Sequence, residues 1–370
     1  MAFTFTTAGT IITGWGASRE LGAVAAKLGQ RALLLTGRSA LRETGALERL
    51  TDSLKSAGVG PLVVHRVEPE PSVDAVDAAR AVFHEGHCDL VVAAGGGSVM
   101  DMGKAVAVLA GEVAPTADYF DARKVPTRAF PCIVLPTTAG SGAEVTANSV
   151  LVDPRSRIKQ SIRGPALLPT AALVDAELTA SCPPDVTASA GMDALAQAVE
   201  SYWSLGASPL TDALAVYAAE LVWLNILAAY QNGQDREARE AMSYGALLAG
   251  MALANARLGA IHGIAHPLGC RYGIRHGAVC AALLPHVMRF NRQVASEKYE
   301  VLCAVFGGDA ADAAAGLLIS LGLPARLSYL GVRPADFDAI AAESLPSGSL
   351  QANPRPVTAQ DVKDILAAAM

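Results

Sequence analysis

The chain has 370 residues, a formal net charge of −6 at pH 7 and a pI of about 5.7. With 52% hydrophobic and 17% charged residues it can bury a large core, and its length favours two domains. The sequence contains no dense run of lysine or arginine, so neither nucleic acid nor an anionic membrane is an expected partner.

Cysteine usage and the first residues predict a cytoplasmic location. The six cysteines form no CxxC pair and several lie in apolar runs, as is typical of reduced, buried thiols. Residues 1–16 contain neither a basic segment nor a long apolar run, so we expect no signal peptide. Since no run of about 20 residues is apolar without polar interruption, we also expect no transmembrane span.

Strands and helices alternate in the first half of the chain. Such alternation predicts βαβ units and a parallel sheet covered by helices on both faces. Strand-like runs lie at Ala32–Thr36, Pro61–Val67, Asp89–Ala94 and Pro131–Pro136, with further pieces at Asn148–Val152, Ile158–Ile162 and Ala172–Val174 that would complete this domain. Helical patterns lie at Ser39–Ala57, at Val73–Gly86 and from Ser98 to Ala110.

Strand signals nearly vanish after Cys182. Residues 346–356 are rich in serine and proline and predict a surface loop. The change predicts an α/β domain over residues 1–180 and an all-helical domain over residues 181–370. The helical patterns are Asp193–Ser204, Thr211–Ala229, Glu237–Arg257, Ala278–Asn291, Ala310–Leu321 and Ala359–Ala369.

Two loops that follow buried strands can bind a nucleotide. Gly95-Gly96-Gly97-Ser98 opens a helix, where glycines allow close approach of a ligand and backbone amides favour an anion. A tight turn alone would not need three successive glycines. The pattern is not the G-x-G-x-x-G of a first βα turn, so the usual fingerprint does not apply. Residues 136–146 (PTTAGSGAEVT) are rich in hydroxyls and can hold sugar or phosphate oxygens at the sheet edge.

Three of the seven histidines, His262, His266 and His276, fall within fifteen residues. Asp193 and Gln197 are four residues apart on a predicted helix and share one face. One carboxylate with two or three imidazoles can hold Zn²⁺ or Fe²⁺ with an open position. The alternative is that the histidines are core or capping residues and that Asp193 is a carboxylate stabilised by the helix dipole.

Five motifs together resemble the iron-containing (group III) alcohol dehydrogenases, in the superfamily of glycerol dehydrogenase and dehydroquinate synthase. The resemblance implies an NAD(P)-dependent oxidoreductase that interconverts a small alcohol and its aldehyde or ketone by metal-assisted hydride transfer. It also implies a dehydroquinate synthase-like fold with the active site in the cleft between its domains, and a homo-oligomer, commonly a dimer. The motifs are GGGSVMDMGKA (95–105), PTTAGSGAEVT (136–146), GMDALAQAVESY (191–202), HGIAHPLG (262–269) and HGAVCAALLPHVMRFN (276–291).

The resemblance assigns the cofactor contacts. In the family, an acidic residue after the second strand binds the ribose hydroxyls and repels a 2′-phosphate. Here Gly37 and Arg38 follow that strand, so NADP(H) is allowed beside NAD(H) and is slightly favoured, unless Arg38 is only a solvated loop residue. The other implied contacts are Gly96, Gly97 and Ser98 with the pyrophosphate, Asp101, Thr137, Thr138 and Ser141 with the nicotinamide side, and Lys159 with the ribose.

The resemblance also assigns Asp193, His262 and His276 as metal ligands and His266 as the histidine beside cofactor and substrate, which can pass a proton to solvent. Iron-dependent members usually have histidine where this chain has Gln197, and an amide oxygen is a poorer ligand. Either Fe²⁺ or Zn²⁺ is bound, with Gln197 as a weak fourth ligand or substrate contact, or the metal is weakly held or absent. The three strong ligands favour a bound metal.

Three other functions compete with this interpretation. A metal-independent keto-acid reductase of the maleylacetate type would need cations that bind an anion, unless those cations are only surface charge. A dinucleotide-binding protein without turnover and a lyase of the dehydroquinate synthase kind are less favoured. The candidate cations for the reductase are Arg163, Arg257, Arg271 and Arg275.

Overall fold

The computed structural model describes residues 3–60, 63–120, 123–155 and 158–370. The chain divides into two compact units. The α/β unit comprises Thr7–Thr138 and Ala143–Cys182, and the helical unit comprises Met1–Thr6, Ala139–Gly142 and Pro183–Met370. An α/β part followed by a mostly helical part is the predicted fold class, which is confirmed.

The α/β unit is built on a six-stranded parallel sheet in the order β1-β8-β5-β4-β2-β3. Every residue of β2, β4, β5 and β8 is buried, because helices cover both faces of a parallel sheet. The strands are β1 (Thr10–Thr13), β2 (Ala32–Thr36), β3 (Val63–Arg66), β4 (Leu90–Gly95), β5 (Cys132–Pro136), β6 (Asn148–Asp153), β7 (Ile158–Arg163) and β8 (Ala171–Val174).

Five α-helices belong to this unit. The longest two, α4 and α5, connect β3 to β4 and β4 to β5, as the predicted βαβ units require. The helices are α1 (Leu21–Ala25), α2 (Ala40–Glu43), α3 (Ala46–Ser56), α4 (Val73–Glu85) and α5 (Gly97–Leu109). Short 3₁₀ helices lie at Ala17–Glu20, Thr116–Tyr119, Ala143–Val145, Pro165–Leu167 and Ala176–Thr179.

The α/β unit departs from the sequence prediction in three places. The pieces β6 and β7 are strands, but they pair with each other as an antiparallel hairpin and do not join the parallel sheet. The predicted helix over 39–57 is two helices, because Gly45 takes a φ of 67° between them. Strand β1 was not predicted, since its four partly exposed residues carry no long apolar run. Pro61 and Leu62, the first two residues of the second predicted strand, lie outside the described residues.

The helical unit is organised around α6, which is buried along almost its whole length. It packs against α7, α8 and α10. The helices are α6 (Pro184–Trp203), α7 (Pro209–Gln231), α8 (Arg236–Ala256), α9 (Ala260–Tyr272), α10 (His276–Asn291), α11 (Ser296–Phe306), α12 (Ala310–Ser320), α13 (Phe337–Ser344), α14 (Gly348–Gln351) and α15 (Ala359–Ala368). Two 3₁₀ helices, Leu327–Leu330 and Pro334–Asp336, lie between α12 and α13.

Helix α9 was not among the predicted helical patterns, and it continues through Pro267. The predicted loop over 346–356 is also wrong in part, because it contains α14 and the buried residues Leu350, Ala352 and Asn353. Asn353 exchanges hydrogen bonds with Asn291 of α10 at 2.8 and 2.9 Å, which ties this segment to the core. Serine and proline content therefore gave no sign of the burial.

Helix α7 is long and apolar enough to cross a membrane by length and composition, with a mean hydropathy of 1.6. The bent pairs α8–α9 and α11–α12 would also pass that test if each pair were one span. Asp212 and Glu220 interrupt this helix, so it is not a continuous apolar run, and the absence of a transmembrane span stays a prediction. In the helical unit α7 packs against α6 and α8, and it buries Ala215, Val222 and Ile226.

Candidate active site

Four side chains with metal-binding atoms meet inside the helical unit. They are Asp193 from α6, His262 from α9, and His276 and Cys280 from α10, here called the metal cluster. One ligand atom of each lies within 4.8 Å of the others. The Oδ1 atom of Asp193 is 3.3 Å from Nε2 of His262 and 3.7 Å from Nε2 of His276. The predicted Asp-His-His set is therefore brought together, with one additional member.

A glycine allows α10 to approach α6 at this point. A Cβ on Gly277 would lie 2.0 Å from the carbonyl oxygen of Ser189 and 3.4 Å from Cβ of Asp193. Any side chain there would push the helices apart. His276, the first residue of α10, and Cys280, one turn later, share a helix face. Close helix packing thus brings both side chains to Asp193.

Glu200 fixes the orientation of His262. Its Oε2 atom is 2.7 Å from Nδ1 of His262 and accepts the backbone N–H of His262 at 3.3 Å. Its Oε1 atom accepts the backbone N–H of Ile261 at 2.5 Å. Glu200 is completely buried. With Nδ1 donating to this carboxylate, the lone pair of Nε2 is left for the metal cluster, which is how outer carboxylates support metal-binding histidines.

Gln197 contacts Asp193 from one turn further along α6. Its Nε2 atom donates to Oδ2 of Asp193 at 3.0 Å. Its Oε1 atom is buried and has no hydrogen-bond partner among the residues that the structure describes. A buried amide oxygen without a partner is costly. The orphaned oxygen, beside a carboxylate, two imidazoles and a thiol, fits a site that holds a divalent metal ion.

The metal cluster shifts the proton affinities of its members. Burial raises the pKa of Asp193, but His276 and His262 outweigh burial and hold that pKa below its usual value. Burial lowers the pKa of His262, yet contacts with Cys280, Asp193 and Glu200 raise it well above its usual value. Burial raises the pKa of the Cys280 thiol to about 12. The carboxylates therefore favour a positive charge on or beside His262.

His266 lies on α9 one turn after His262 and is half-buried. Its ring centre is 5.3 Å from that of His276, and the two rings are tilted by 40°. His276 is itself partly open, with 32% of its side chain exposed. His266 therefore lies beside the partly exposed member of the metal cluster, where an imidazole can exchange protons with water.

In the glycine loop (residues 95–98) of the α/β unit, one glycine is required by packing and the next leaves space for a ligand. A Cβ on Gly95 would lie 2.4 Å from Cγ2 of Val99, so this glycine is needed for packing. A Cβ on Gly96 would find nothing closer than 3.5 Å, at Oγ1 of Thr138. Gly96 is the N-cap of α5 without a side-chain cap, and Gly97 is its first residue. Backbone amides at such a helix start can bind an anion.

Two predicted cofactor contacts, Ser98 and Lys159, both lie next to Glu70. Ser98 accepts a hydrogen bond from the Glu70 backbone at 3.3 Å, and Nζ of Lys159 is 2.7 Å from Oε1 of Glu70. Glu70 has a φ of 54°, in the left-handed region that a non-glycine residue seldom adopts. The structure therefore brings Ser98 and Lys159 together around Glu70.

Asp101 is anchored by structural contacts. Its Oδ1 atom is 2.9 Å from Nζ of Lys104, and its Oδ2 atom accepts from the backbone of Val150 at 3.1 Å. Lys104 is almost completely buried and also donates to the carbonyl of Ala143 at 2.9 Å. Asp101 thus joins α5 to β6, and its contact with the nicotinamide side stays a prediction.

The remaining loop residues are divided between the units. The backbone N–H of Thr137 donates to the carbonyl of Gly95 at 3.0 Å, so Thr137 and Thr138 lie beside the glycine loop. Ser141 belongs to the segment Ala139–Gly142 of the helical unit. A Cβ on Gly142, at a φ of +65°, would lie 2.5 Å from Cα of Gly250, which pins this segment to α8.

A cavity of about 200 Å³ lies where β2 ends, and we call it the β2-end cavity. Gly37 and Arg38, two of the predicted cofactor contacts, line it together with Arg42 and Arg66. Arg38 Nε is 2.7 Å from Oε2 of Glu68, with about 60% of each side chain exposed. The cavity is thus rich in guanidinium groups. Its other lining residues are Thr36, Ser39, Leu41 and Leu47.

Sequence reasoning missed Cys280 and the functions of Glu200 and Arg42. The spacing of four between His276 and Cys280 was the available signal, but a cysteine in an apolar run is usually a core residue. Glu200 lies on the Asp193 face of α6, yet its partner His262 is 62 residues away in the chain. Contacts at such separation follow only from the packing of α6 against α9.

Comparison with known families places both halves of the chain in one group. Residues 8–176 match the family model described as iron-containing alcohol dehydrogenase. Residues 187–370 match the model described as the Fe-containing alcohol dehydrogenase family, C-terminal. Together the two matches cover most of the chain.

Individual proteins are similar over nearly their whole length. The NAD-dependent methanol dehydrogenase of Bacillus methanolicus is 32% identical over 367 residues, with 96% of both chains covered. The 1,3-propanediol dehydrogenase of Citrobacter freundii is 37% identical over 351 residues, covering 91% of this chain and 90% of that protein. A solved structure of a 1,3-propanediol oxidoreductase superposes with a TM-score of 0.95 at 34% identity, covering both chains completely.

Proposed function

The chain belongs to the iron-containing alcohol dehydrogenase family, and from this premise we propose that it acts on short primary alcohols and prefers NADP(H) over NAD(H). It is an oxidoreductase that interconverts a small alcohol and its aldehyde or ketone by hydride transfer, with a nicotinamide cofactor and a divalent metal. The convergence of Asp193, His262 and His276 is the observation that carries the proposal. The similar proteins named for methanol and 1,3-propanediol support a short, unbranched substrate.

In this proposal the two parts of the chain bind different ligands. Residues 1–180 bind the dinucleotide, with Gly96, Gly97 and Ser98 at the pyrophosphate and Thr137 and Thr138 on the nicotinamide side. Residues 181–370 hold the metal and the substrate. The remaining cofactor contacts in the proposal are Asp101, Ser141 and Lys159. Support comes from the family match of both halves and from the open backbone at Gly96.

Asp193, His262 and His276 would hold the divalent metal. When bound there, the ion acts as a Lewis acid that polarises the carbonyl group and lowers the pKa of the alcohol. Glu200 holds the Nδ1 proton of His262 and keeps its ring orientation. Gln197 holds Oδ2 of Asp193, so Oδ1 faces the two imidazoles.

His266 moves the proton in this mechanism. A bound nicotinamide would accept the hydride of the alcohol carbon, and an imidazole nitrogen of His266 would take the hydroxyl proton and release it to water. In aldehyde reduction the same two transfers run in reverse. Its half-buried position beside the open His276 suits a residue that exchanges protons with solvent.

The preference for NADP(H) is argued from the β2-end cavity. Gly37 stands where an acidic residue would bind the ribose hydroxyls, and Arg42 and Arg66 line the same cavity. Guanidinium groups bind phosphate in a bidentate manner. Glu68 pairs with Arg38 and opposes this preference, but an ion pair so exposed contributes only about 0–1 kcal/mol, so a phosphate can displace it.

Cofactor preference is tested by steady-state kinetics with NADPH and NADH. We expect the wild-type chain to have the higher kcat/KM with NADPH, and Arg42→Ala to lower that value about tenfold, because one charged hydrogen bond is lost. The value with NADH should hardly change. Gly37→Asp should favour NADH, and a Cβ there has room, with its nearest neighbour at 4.0 Å.

Arg49→Ala is the matched control, since Arg49 lies on α3 outside the cavity lining. It should leave the cofactor ratio unchanged. A wild-type chain that prefers NADH, or an Arg42→Ala loss that is equal for both cofactors, would contradict the NADP(H) preference.

The alternative substrate, a keto acid, has less support. Arg271 is paired with Glu343, and Arg275 is paired with Asp185. These exposed ion pairs decide little, but the similar proteins compared above are named for alcohols and not for keto acids. A substrate panel separates the two functions: we expect oxidation of short primary alcohols and reduction of their aldehydes. Reduction of a keto acid without any turnover of simple alcohols or aldehydes would favour the alternative.

Location and assembly are further parts of the proposal. We propose a cytoplasmic homodimer that acts on small molecules without nucleic-acid or membrane partners. The net charge of −6 argues against nucleic-acid and anionic-membrane partners. The usual assembly of the family supports the dimer. Light scattering on the purified chain would give the mass of the assembly, and a monomer would contradict the proposal.

A further inference from the structure

Cys280 lies among the metal-binding side chains but has no part in the mechanism described above. Its Sγ atom is 3.5 Å from Nε2 of His276 and 3.9 Å from Nε2 of His262. The residue is completely buried on α10, one turn after His276. A cysteine that only fills space in the core is usually surrounded by apolar side chains. A cysteine that binds zinc lies beside other ligands, such as imidazole nitrogens.

Four of the six distances between the ligand atoms of the metal cluster are close to the edges of a tetrahedron, and the other two are no longer than 4.8 Å. With Zn–N near 2.1 Å and Zn–S near 2.3 Å, ligand nitrogen and sulfur atoms lie about 3.6 Å apart, and nitrogen and oxygen about 3.4 Å apart. The two sulfur–nitrogen distances are 3.5 and 3.9 Å. The two oxygen–nitrogen distances from Asp193 are 3.3 and 3.7 Å. Four atoms of the right kinds therefore surround one ion-sized position.

The charges of the set also fit a divalent ion. The Asp193 carboxylate and a Cys280 thiolate supply two negative charges, and His262 and His276 bind as neutral imidazoles. A coordinating thiol loses its proton to the metal, so a buried cysteine becomes an anionic ligand only when the ion is present. The ion and the four side chains are then neutral together, as a buried site requires.

Gln197, which replaces the usual histidine, is the other candidate for a fourth ligand. Its Nε2 atom donates to Oδ2 of Asp193 at 3.0 Å, which leaves Oε1 as the atom that could bind a metal. An amide oxygen is, however, a weaker ligand than a thiolate for a borderline ion. The orphaned Oε1 of Gln197 is a second sign that this buried site receives a ligand.

We propose that Cys280 binds the metal as a thiolate, so that the centre is an Asp-His-His-Cys set with a preference for Zn²⁺ over Fe²⁺. This inference rests on the metal centre of the proposed function. Thiolate ligands select zinc among the metals that imidazole and carboxylate also accept. The cysteine thus supplies the strong fourth ligand that Gln197 does not.

Cobalt substitution tests the inference without any measurement of turnover. The full chain carrying Cys270→Ser, which removes an exposed thiol, is stripped of metal and loaded with one equivalent of Co²⁺. Visible absorption reports tetrahedral cobalt, and near-ultraviolet charge-transfer absorption reports a thiolate bound to it. We expect both signals, and we expect Cys280→Ser in this background to lose the charge-transfer absorption. Its affinity for Zn²⁺ should fall at least about tenfold.

Cys303→Ser in the same background is the matched control and should keep both signals, because Cys303 lies on α11 outside the cluster. If Cys280→Ser does not fold, X-ray absorption of the zinc-loaded Cys270→Ser chain decides: one sulfur at about 2.3 Å supports the inference, and none overturns it. Visible bands without charge transfer would refute the thiolate and leave the metal centre intact. Failure to bind either ion would refute both.

Discussion

At the scale of single residues, two carboxylate neighbours determine how the ring of His262 is oriented. Glu200 holds Nδ1, and Asp193 lies 3.3 Å from Nε2. Both carboxylates are almost completely buried, so they act in a region where charges are weakly screened. One ring nitrogen is thereby kept as a donor and the other as a ligand, which is the arrangement that a stable metal centre needs.

The first prediction concerns a substitution that removes the charge of Glu200 and keeps its shape. Glu200→Gln should weaken the binding of Zn²⁺ about 10- to 100-fold, because His262 loses the carboxylate that orients and polarises it. Competition with a chromophoric chelator measures the affinity. Glu220→Gln, at an exposed position of α7, is the control and should bind Zn²⁺ as the wild-type chain does. Unchanged affinity in Glu200→Gln would show that this residue only packs.

The site could be predicted from sequence to the extent that its chemistry is local. Asp193 and Gln197 share a helix face, and His262 and His266 lie one turn apart, so their grouping followed from helical spacing. Glu200 was visible on the same face but without a partner. Cys280 was read as a core thiol, because burial and metal binding favour the same apolar surroundings for a cysteine.

At the scale of elements, helix boundaries depend on single residues that hold the ends. Asp309 is the N-cap of α12 and accepts the backbone N–H groups of Ala311 and Asp312, each at 3.2 Å. It also accepts the hydroxyl hydrogen bond of Tyr299 at 2.9 Å. Burial raises the pKa of Tyr299 to about 12, so this hydroxyl remains a donor throughout the neutral range.

The second prediction is a pH-dependent loss of stability at this cap. The Tyr299 hydrogen bond, followed by the backbone N–H groups and Arg292, holds the pKa of Asp309 below its usual value. The stabilisation is therefore complete above the unfolded pKa of about 3.9 and is lost as the pH falls through the folded pKa. Asp309→Ala should lower the free energy of unfolding by about 0.5–2 kcal/mol at neutral pH.

Thermal unfolding of both proteins at about pH 6 and about pH 3 measures this effect, since the contribution of the ionised cap declines once the pH falls below the unfolded pKa. The difference between wild type and variant should shrink at the lower pH. Asp338→Ala is the control, because Asp338 is an exposed residue in the first turn of α13 that caps no helix. A difference that is the same at both pH values would contradict the electrostatic origin.

Elements with a clear apolar pattern were predictable, and elements whose position depends on packing were not. The buried strands β2, β4, β5 and β8 are continuous apolar runs, as is typical of a parallel sheet covered on both faces. The hairpin of β6 and β7 has the same propensities but pairs elsewhere, because strand pairing is a tertiary choice. Helix α14 is short, and its position depends on Asn353 and Asn291 far apart in the chain.

At the scale of the whole molecule, the chain combines two chemically different units. The α/β unit offers backbone amides and guanidinium groups, which are suited to phosphates. The helical unit offers carboxylate, imidazole and thiol groups, which are suited to a divalent metal. A nicotinamide-dependent alcohol dehydrogenase needs both sets, and the family match extends over both units.

The central claim is that the centre of Asp193, His262 and His276 works through a bound divalent metal. The most direct measurement is the rate of NADP⁺-dependent oxidation of a short primary alcohol by the purified chain before chelation, after chelation and after addition of Zn²⁺ or Fe²⁺. Binding of NADPH, followed by fluorescence, controls for loss of the fold. We predict that chelation abolishes turnover, leaves NADPH binding intact, and is reversed by one equivalent of metal. Full turnover by the metal-free chain would contradict the claim.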